Sequence, residues 1–242
     1  MSRKRTVTVS TLVVAALAFA GVATARDDLP ALLDGLRAAP SSSVPQPTPA
    51  SPSGASVDVK EARALLDELE VKGRAPKAGY DRDLFGPAWA DTDHNGCDTR
   101  NDVLRRDLTD VTFKQGTNDC VVLSGTLQDP YTGQAINFER GQDTSSAVQI
   151  DHVVALADAW QKGAQQWDAE TRERFANDPT NLRAVDGPTN QQKGAGDAAT
   201  WLPPARGYRC EYVAAQVAVK SAYGLWVTPA EREALGRILE SC

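Results

Sequence analysis

Four cysteines, Cys97, Cys120, Cys210 and Cys242, constrain the fold of this 242-residue chain more than any other feature, because of what precedes them. Arg3-Lys4-Arg5 opens the chain. An uncharged stretch from Thr6 to Ala25 follows, with an apolar centre from Leu12 to Ala20 and the end Ala23-Thr24-Ala25. Basic start, apolar middle and small-x-small end are the parts of a secretory signal peptide, expected over residues 1–25 and removed on export. The apolar part is short for a membrane anchor, and no later segment is apolar enough to span a bilayer. An exported chain with an even number of cysteines is expected to be oxidised. Three pairings are possible. Cys97–Cys120 and Cys210–Cys242 are favoured, since each brackets one continuous segment. A zinc site ranks well behind, because there is no CxxC pair and His94 is the only histidine nearby.

Residues 26–57 carry Pro, Ser and Ala in excess, including Ser41-Ser42-Ser43-Val44-Pro45-Gln46-Pro47-Thr48-Pro49, and are expected to form a flexible tether. The pattern then changes. Ala62, Leu65, Leu66 and Leu69 recur at helical spacing, which places the folded domain at 58–242, long enough for a sizeable core. Asp98 to Leu108 reads as a helix with an Asp/Thr cap. Val111–Phe113 and Cys120–Leu127 have strand character. Asp129-Pro130-Tyr131-Thr132-Gly133 is a turn, and Ile136–Phe138 is the returning strand. Ala147–Ile150 is a further strand running into Asp151-His152. Helices are expected over 155–163 and 167–176, a short strand over 182–185, and a helix starting at Pro188. Two helices, 212–223 and 229–239, close the chain. The expected class is α+β: a small antiparallel sheet with flanking helices, stabilised by disulfides.

The formal net charge is −6, and loss of Arg3, Lys4 and Arg5 with the signal peptide takes it to −9. That argues against a broad basic face for tight, nonspecific binding to nucleic acid. It leaves nuclease chemistry open, because a metal ion supplies positive charge locally. The clearest basic cluster is Arg100, Arg105 and Arg106. Arg100, Arg105 and Arg106 are expected to meet substrate phosphates, and Glu139 and Arg140 to face the site across a hairpin, with a surface ion pair as the equal alternative for these two. Intrahelical ion pairs with Asp98, Asp102 and Asp107 are the competing reading of the cluster. The run from Asp91 to Gly96 has some likeness to a calcium loop, discounted for want of a glutamate at its twelfth position, placed at Val103 or a neighbour.

One constellation carries chemistry. Ile150-Asp151-His152-Val153-Val154 is answered by Asn181-Leu182 and then by Asn190-Gln191-Gln192-Lys193-Gly194. Taken singly these residues are unremarkable: a strand-end Asp-His pair, two turn asparagines and a solvated lysine. Taken in order, Asp, His and Asn can hold one hard divalent ion and one base beside a phosphodiester. No second histidine lies four residues from His152, which disfavours a zinc protease.

This order resembles the ββα-metal, or HNH, endonuclease motif, in the variant where asparagine replaces the last histidine. From about Leu69 to Cys242 the chain is similar to a family of secreted bacterial proteins with an HNH domain, sharing also Asn95-Gly96-Cys97-Asp98-Thr99-Arg100-Asn101 and Trp201-Leu202-Pro203-Pro204. The resemblance implies a ββα-metal core and a role for each residue. His152 matches the general base. Asp151 and Asn190 match the ligands of one Mg²⁺ or Mn²⁺, with zinc less suited. Asn181 matches the asparagine that holds the loop and orients the histidine, and Lys193 is placed to contact a phosphate oxygen. The expected protein is a secreted, extracellular, monomeric endonuclease acting on nucleic acid, DNA ahead of RNA, with no stable membrane association after signal cleavage. The alternative is a noncatalytic extracellular binding module that keeps the fold.

Overall fold

Val148 and Ile150 alternate with Gln149 and Asp151, the pattern of a strand with two unlike faces. In the computed structural model, which describes residues 58–242, they form strand β4 (Val148–His152). Its antiparallel partner is β5 (Leu182–Asp186), with Asp151 opposite Arg183 and His152 opposite Leu182. Helix α5 (Gly187–Lys193) follows at once. The Asp186 carboxylate caps it by accepting from the Thr189 N–H at 2.8 Å, and Pro188 sits in the first turn. Gly187 is required by close approach: a Cβ there would lie 2.1 Å from the Ser146 carbonyl oxygen.

A second antiparallel sheet holds β1 (Leu108–Phe113), β2 (Val122–Gln128) and β3 (Ala135–Glu139) in that order. The single expected sheet is therefore two. The chain turns away after β3 through a short 3₁₀ turn at Ser145–Ala147, and β4 pairs with β5. Helix α2 (Thr99–Asp107), capped by Asp98, joins them. Its Val103 and Leu104 pack with Leu127 and Phe138 of one sheet and Ile150 and Leu182 of the other. Each such side chain contributes about 1.5–3 kcal/mol when fully buried. The loop ahead of α2 folds around Asp91, which accepts from the N–H groups of Asn95 and Gly96. Its twelfth residue is Asp102, in the first turn of α2, rather than Val103. No acidic cluster among the described residues, this loop included, brings together three His, Cys, Asp or Glu side chains suited to a metal ion.

Helices α1 (Val59–Glu68), α6 (Arg209–Ala222) and α7 (Pro229–Glu240) bury Ala62, Leu66, Val213, Val217, Leu235 and Leu239 against one another. The insertion between β4 and β5 carries α3 (Leu156–Trp160) and α4 (Ala169–Ala176), which pack Trp160 and Phe175 on Phe85 and Tyr223. Disulfides join Cys97 to Cys120 and Cys210 to Cys242, the favoured pairing, and leave no free cysteine for zinc. No helix among the described residues is long and apolar enough to cross a membrane. The expected signal peptide and tether lie outside the described residues.

Six charges meet beneath the insertion. Lys162 reaches Asp158 at 2.7 Å, Asp197 at 2.8 Å and Glu231 at 2.6 Å. Lys220 lies 3.0 Å from both Asp158 and Glu231, and Arg74 pairs with Asp158 and Asp197. All but Arg74 are buried. Three cations balance three anions, and the set ties α3 and the segment after α5 to α6 and α7.

Candidate active site

The two faces of β4 deliver different groups to one cleft of about 430 Å³, lined by Asp151, His152, Gln149, Asn190, Tyr80, Arg82, Trp89 and Arg100 among others. His152 is 6% exposed and points towards the end of α4. Its Nε2 lies 2.8 Å from the Ala176 carbonyl oxygen. A carbonyl only accepts, so Nε2 carries the hydrogen and Nδ1 keeps the lone pair. The Trp89 indole lies nearly parallel to the imidazole, 12° between planes and 6.3 Å between ring centres. Trp89 holds a φ of 62°, a left-handed conformation unfavourable for a bulky side chain. Burial outweighs the Ala176 bond and, with the charges of Arg82 and Lys193, lowers the His152 pKa to about 3. The ring is neutral at pH 7.

Asp151 lies on the opposite face of the strand and is held at both oxygens. The Tyr131 hydroxyl donates to Oδ2 at 2.5 Å, and the Lys193 ammonium donates to Oδ1 at 2.9 Å. Lys193 also donates to the His152 carbonyl at 2.8 Å. Burial raises the Asp151 pKa, opposed by Lys193 and Tyr131. Burial and the adjacent Asp151 charge push the Tyr131 phenol well above its ordinary value, so it stays a donor. Asn190, one turn before Lys193 on α5, donates through Nδ2 to Gln149 Oε1 at 3.0 Å, which leaves its amide oxygen for another partner. Asn181 is fully buried. Its side-chain oxygen accepts from the Val154 N–H at 2.8 Å and its amide donates to the Val154 carbonyl, pinning the turn that follows His152.

The expected residues thus divide. Asp151, His152, Asn190 and Arg100 line the cleft, and Asn181 supports its floor. Lys193 is behind Asp151, buried and doubly bonded, and does not face the cleft as a phosphate contact. Arg105 lies elsewhere, over the Phe113 ring and donating to the Asp119 carbonyl. Arg140 is spent on the Val122 carbonyl and Asn101 Oδ1, because β3 turns its end towards α2 and not the cleft. Arg82, Trp89 and Tyr131 join the site without having been among the expected site residues. Tyr131 was visible only as part of a turn, and no local pattern links it to Asp151 twenty residues away. Neither Arg82 nor Arg100 is in an ion pair among the described residues. Arg100 makes one long bond, 3.3 Å, to the Val148 carbonyl, and burial together with Arg140 lowers its pKa.

Residues 98–238 match the family model for GmrSD restriction endonucleases, C-terminal domain. The chain belongs to this family. A relative from Arthroderma benhamiae, named an uncharacterized secreted protein, is 40% identical over 200 residues, covering 82% of this chain and 92% of the relative. No solved structure matches. The GmrSD C-terminal match contains Asp151, His152, Asn181, Asn190 and Lys193. It begins after Tyr80, Arg82 and Trp89, so one wall of the cleft is built from residues ahead of the matched stretch.

The donors of this GmrSD-family cleft fit one hard divalent cation in kind: a carboxylate and an amide oxygen, with the remaining positions open to water and phosphate. Each Asp151 oxygen retains a lone pair beyond its present hydrogen bond. In charge the fit is lean, since Asp151 is the only acid among the described residues lining the cleft and Lys193 offsets it.

Proposed function

We propose that this protein is an exported, divalent-metal-dependent endonuclease that hydrolyses phosphodiester bonds in nucleic acid. DNA is favoured over RNA because the family is one of restriction endonucleases. One observation carries the reading. A neutral imidazole with a lone pair on Nδ1 shares a cleft with two oxygen donors and two guanidiniums that are outside any ion pair among the described residues. Arg82 and Arg100 bind and orient the phosphate, through the paired N–H groups that guanidinium offers. His152 Nδ1 takes the proton from the attacking water, while the Ala176 carbonyl holds the tautomer. Asn181 keeps the His152 backbone in place through the Val154 turn. Asp151 and Asn190 would hold one Mg²⁺ or Mn²⁺, which supplies polarisation of a phosphate oxygen and stabilisation of the leaving oxygen. Export is supported by the signal-like start, the two disulfides and the relative named as secreted.

Digestion of plasmid, single-stranded DNA and RNA with Mg²⁺, Mn²⁺ or chelator tests this. Metal-dependent cleavage is expected, with a loss of about 10²–10⁴-fold in a folded His152→Ala variant. Cleavage unchanged in His152→Ala would remove the mechanism. Absence of cleavage with any substrate and metal would favour the binding-module reading, which the suppressed basicity of His152 and the engaged oxygens of Asp151 support.

A further inference from the structure

We infer that Lys193 makes uptake of the divalent ion depend on the phosphodiester, so that Asp151 holds the ion strongly only once a phosphate is in the cleft. The inference rests on the metal-dependent reading above. Among the described residues lining the cleft, Asp151 is the only acid. Its Oδ1 lies 2.9 Å from the Lys193 ammonium, whose side chain is fully buried and is held a second time by the His152 carbonyl. Swinging Lys193 aside for an approaching cation would break both of these bonds inside the protein. Tyr131, also fully buried, holds Oδ2 and keeps the carboxylate from turning away from the lysine. Arg82 and Arg100 add two more positive charges on the cleft walls. A dication entering the free protein thus meets one negative charge against three positive ones, in surroundings that screen less than water. Affinity of oxygen-ligand sites for hard dications follows the number of ligand charges. The missing negative charge is what a nucleic acid backbone brings, one per phosphate. The guanidiniums gather the phosphates, and the ion then completes a balanced site. Tyr131 and Lys193 are positioning residues here, acting through Asp151.

Mn²⁺ binding, followed by electron paramagnetic resonance of the free ion, tests this in the full chain carrying His152→Ala, which prevents turnover. Titrations are run on the protein alone, with a short DNA oligonucleotide, and with its uncharged methylphosphonate analogue, each corrected for ion bound by the oligonucleotide. The phosphodiester is expected to tighten Mn²⁺ binding by at least about tenfold and the methylphosphonate to leave it unchanged. Adding Lys193→Met is expected to tighten binding to the protein alone and shrink the effect of the phosphodiester. Adding Tyr131→Phe is expected to weaken binding in the phosphodiester arm. Equal affinity with and without phosphodiester overturns the inference while leaving the metal-dependent reading intact. Mn²⁺ binding indifferent to Asp151→Asn in every arm sinks that reading as well. If Lys193→Met does not fold, the contrast between the two oligonucleotides still decides the matter.

Discussion

Lys162→Met probes the buried charge network directly. Lys162 is fully buried and contacts Asp158, Asp197 and Glu231 within 2.6–2.8 Å. Its removal turns a balanced set of six into two cations facing three anions. Each anion keeps one or two partners: Asp158 retains Lys220 and Arg74, Asp197 retains Arg74, and Glu231 retains Lys220. Breaking a buried pair from one side costs about 3–5 kcal/mol. The surviving partners place this case near the lower end, about 3 kcal/mol. For a domain of this size that is a fall in Tm of about 6–12 °C. Urea unfolding followed by tryptophan fluorescence, with disulfides intact at pH 7, measures it. Adding Glu231→Gln removes the surplus anion and is expected to recover about 1 kcal/mol or more of the loss. A loss below about 1 kcal/mol in Lys162→Met, or no recovery in the double variant, would show that the network is hydrated or relaxed in solution and that the reasoning fails.

Two further outcomes follow from the same geometry. Burial raises the Asp158 pKa, but Lys220 and Lys162 outweigh it and bring it to about 2, below the unfolded value. A depressed pKa stabilises the fold above the unfolded pKa, so about 2 kcal/mol is lost as pH falls from about 4 to about 2. Urea midpoints across that range check it, and Asp158→Asn should flatten the profile. At the cleft, Arg100→Met is expected to lower kcat/KM by about tenfold or more, whereas Arg105→Met, remote from the cleft, should leave it unchanged. Equal effects would place the substrate on the α2 surface instead.

Legibility in the sequence tracked locality. The start of α5 was visible because Asp186-Gly187-Pro188 reads as a turn whose proline presets a helical φ; the Asp186 cap and the close approach at Gly187 show only in the fold. Strand β4 was visible as the short run Ala147–Ile150 leading into Asp151-His152. The motif brought Asp151, His152 and Asn190 to one cleft because β4, β5 and α5 are continuous or directly paired. What depends on packing across long separations was not visible. Lys193 meets Asp151 over 42 residues, Lys162 meets Glu231 over 69, and Arg74 meets Asp197 over 123. A buried lysine and a solvated one look alike in a string of letters. The arginines show the same limit: Arg105, Arg140 and Arg82 differ in where backbone turns aim them, not in their neighbours along the chain.

The charge network also bears on how the chain can change over generations. Replacing an entire buried ionic set with well-packed apolar side chains is often neutral or stabilising, whereas replacing one member strands its partners. Replacing Asp158, Lys162, Asp197, Lys220 or Glu231 alone is therefore expected to cost stability that replacing the set together would not. Drift by single steps is blocked even where a wholly apolar core would serve as well. These positions should vary among descendants of this chain together or not at all.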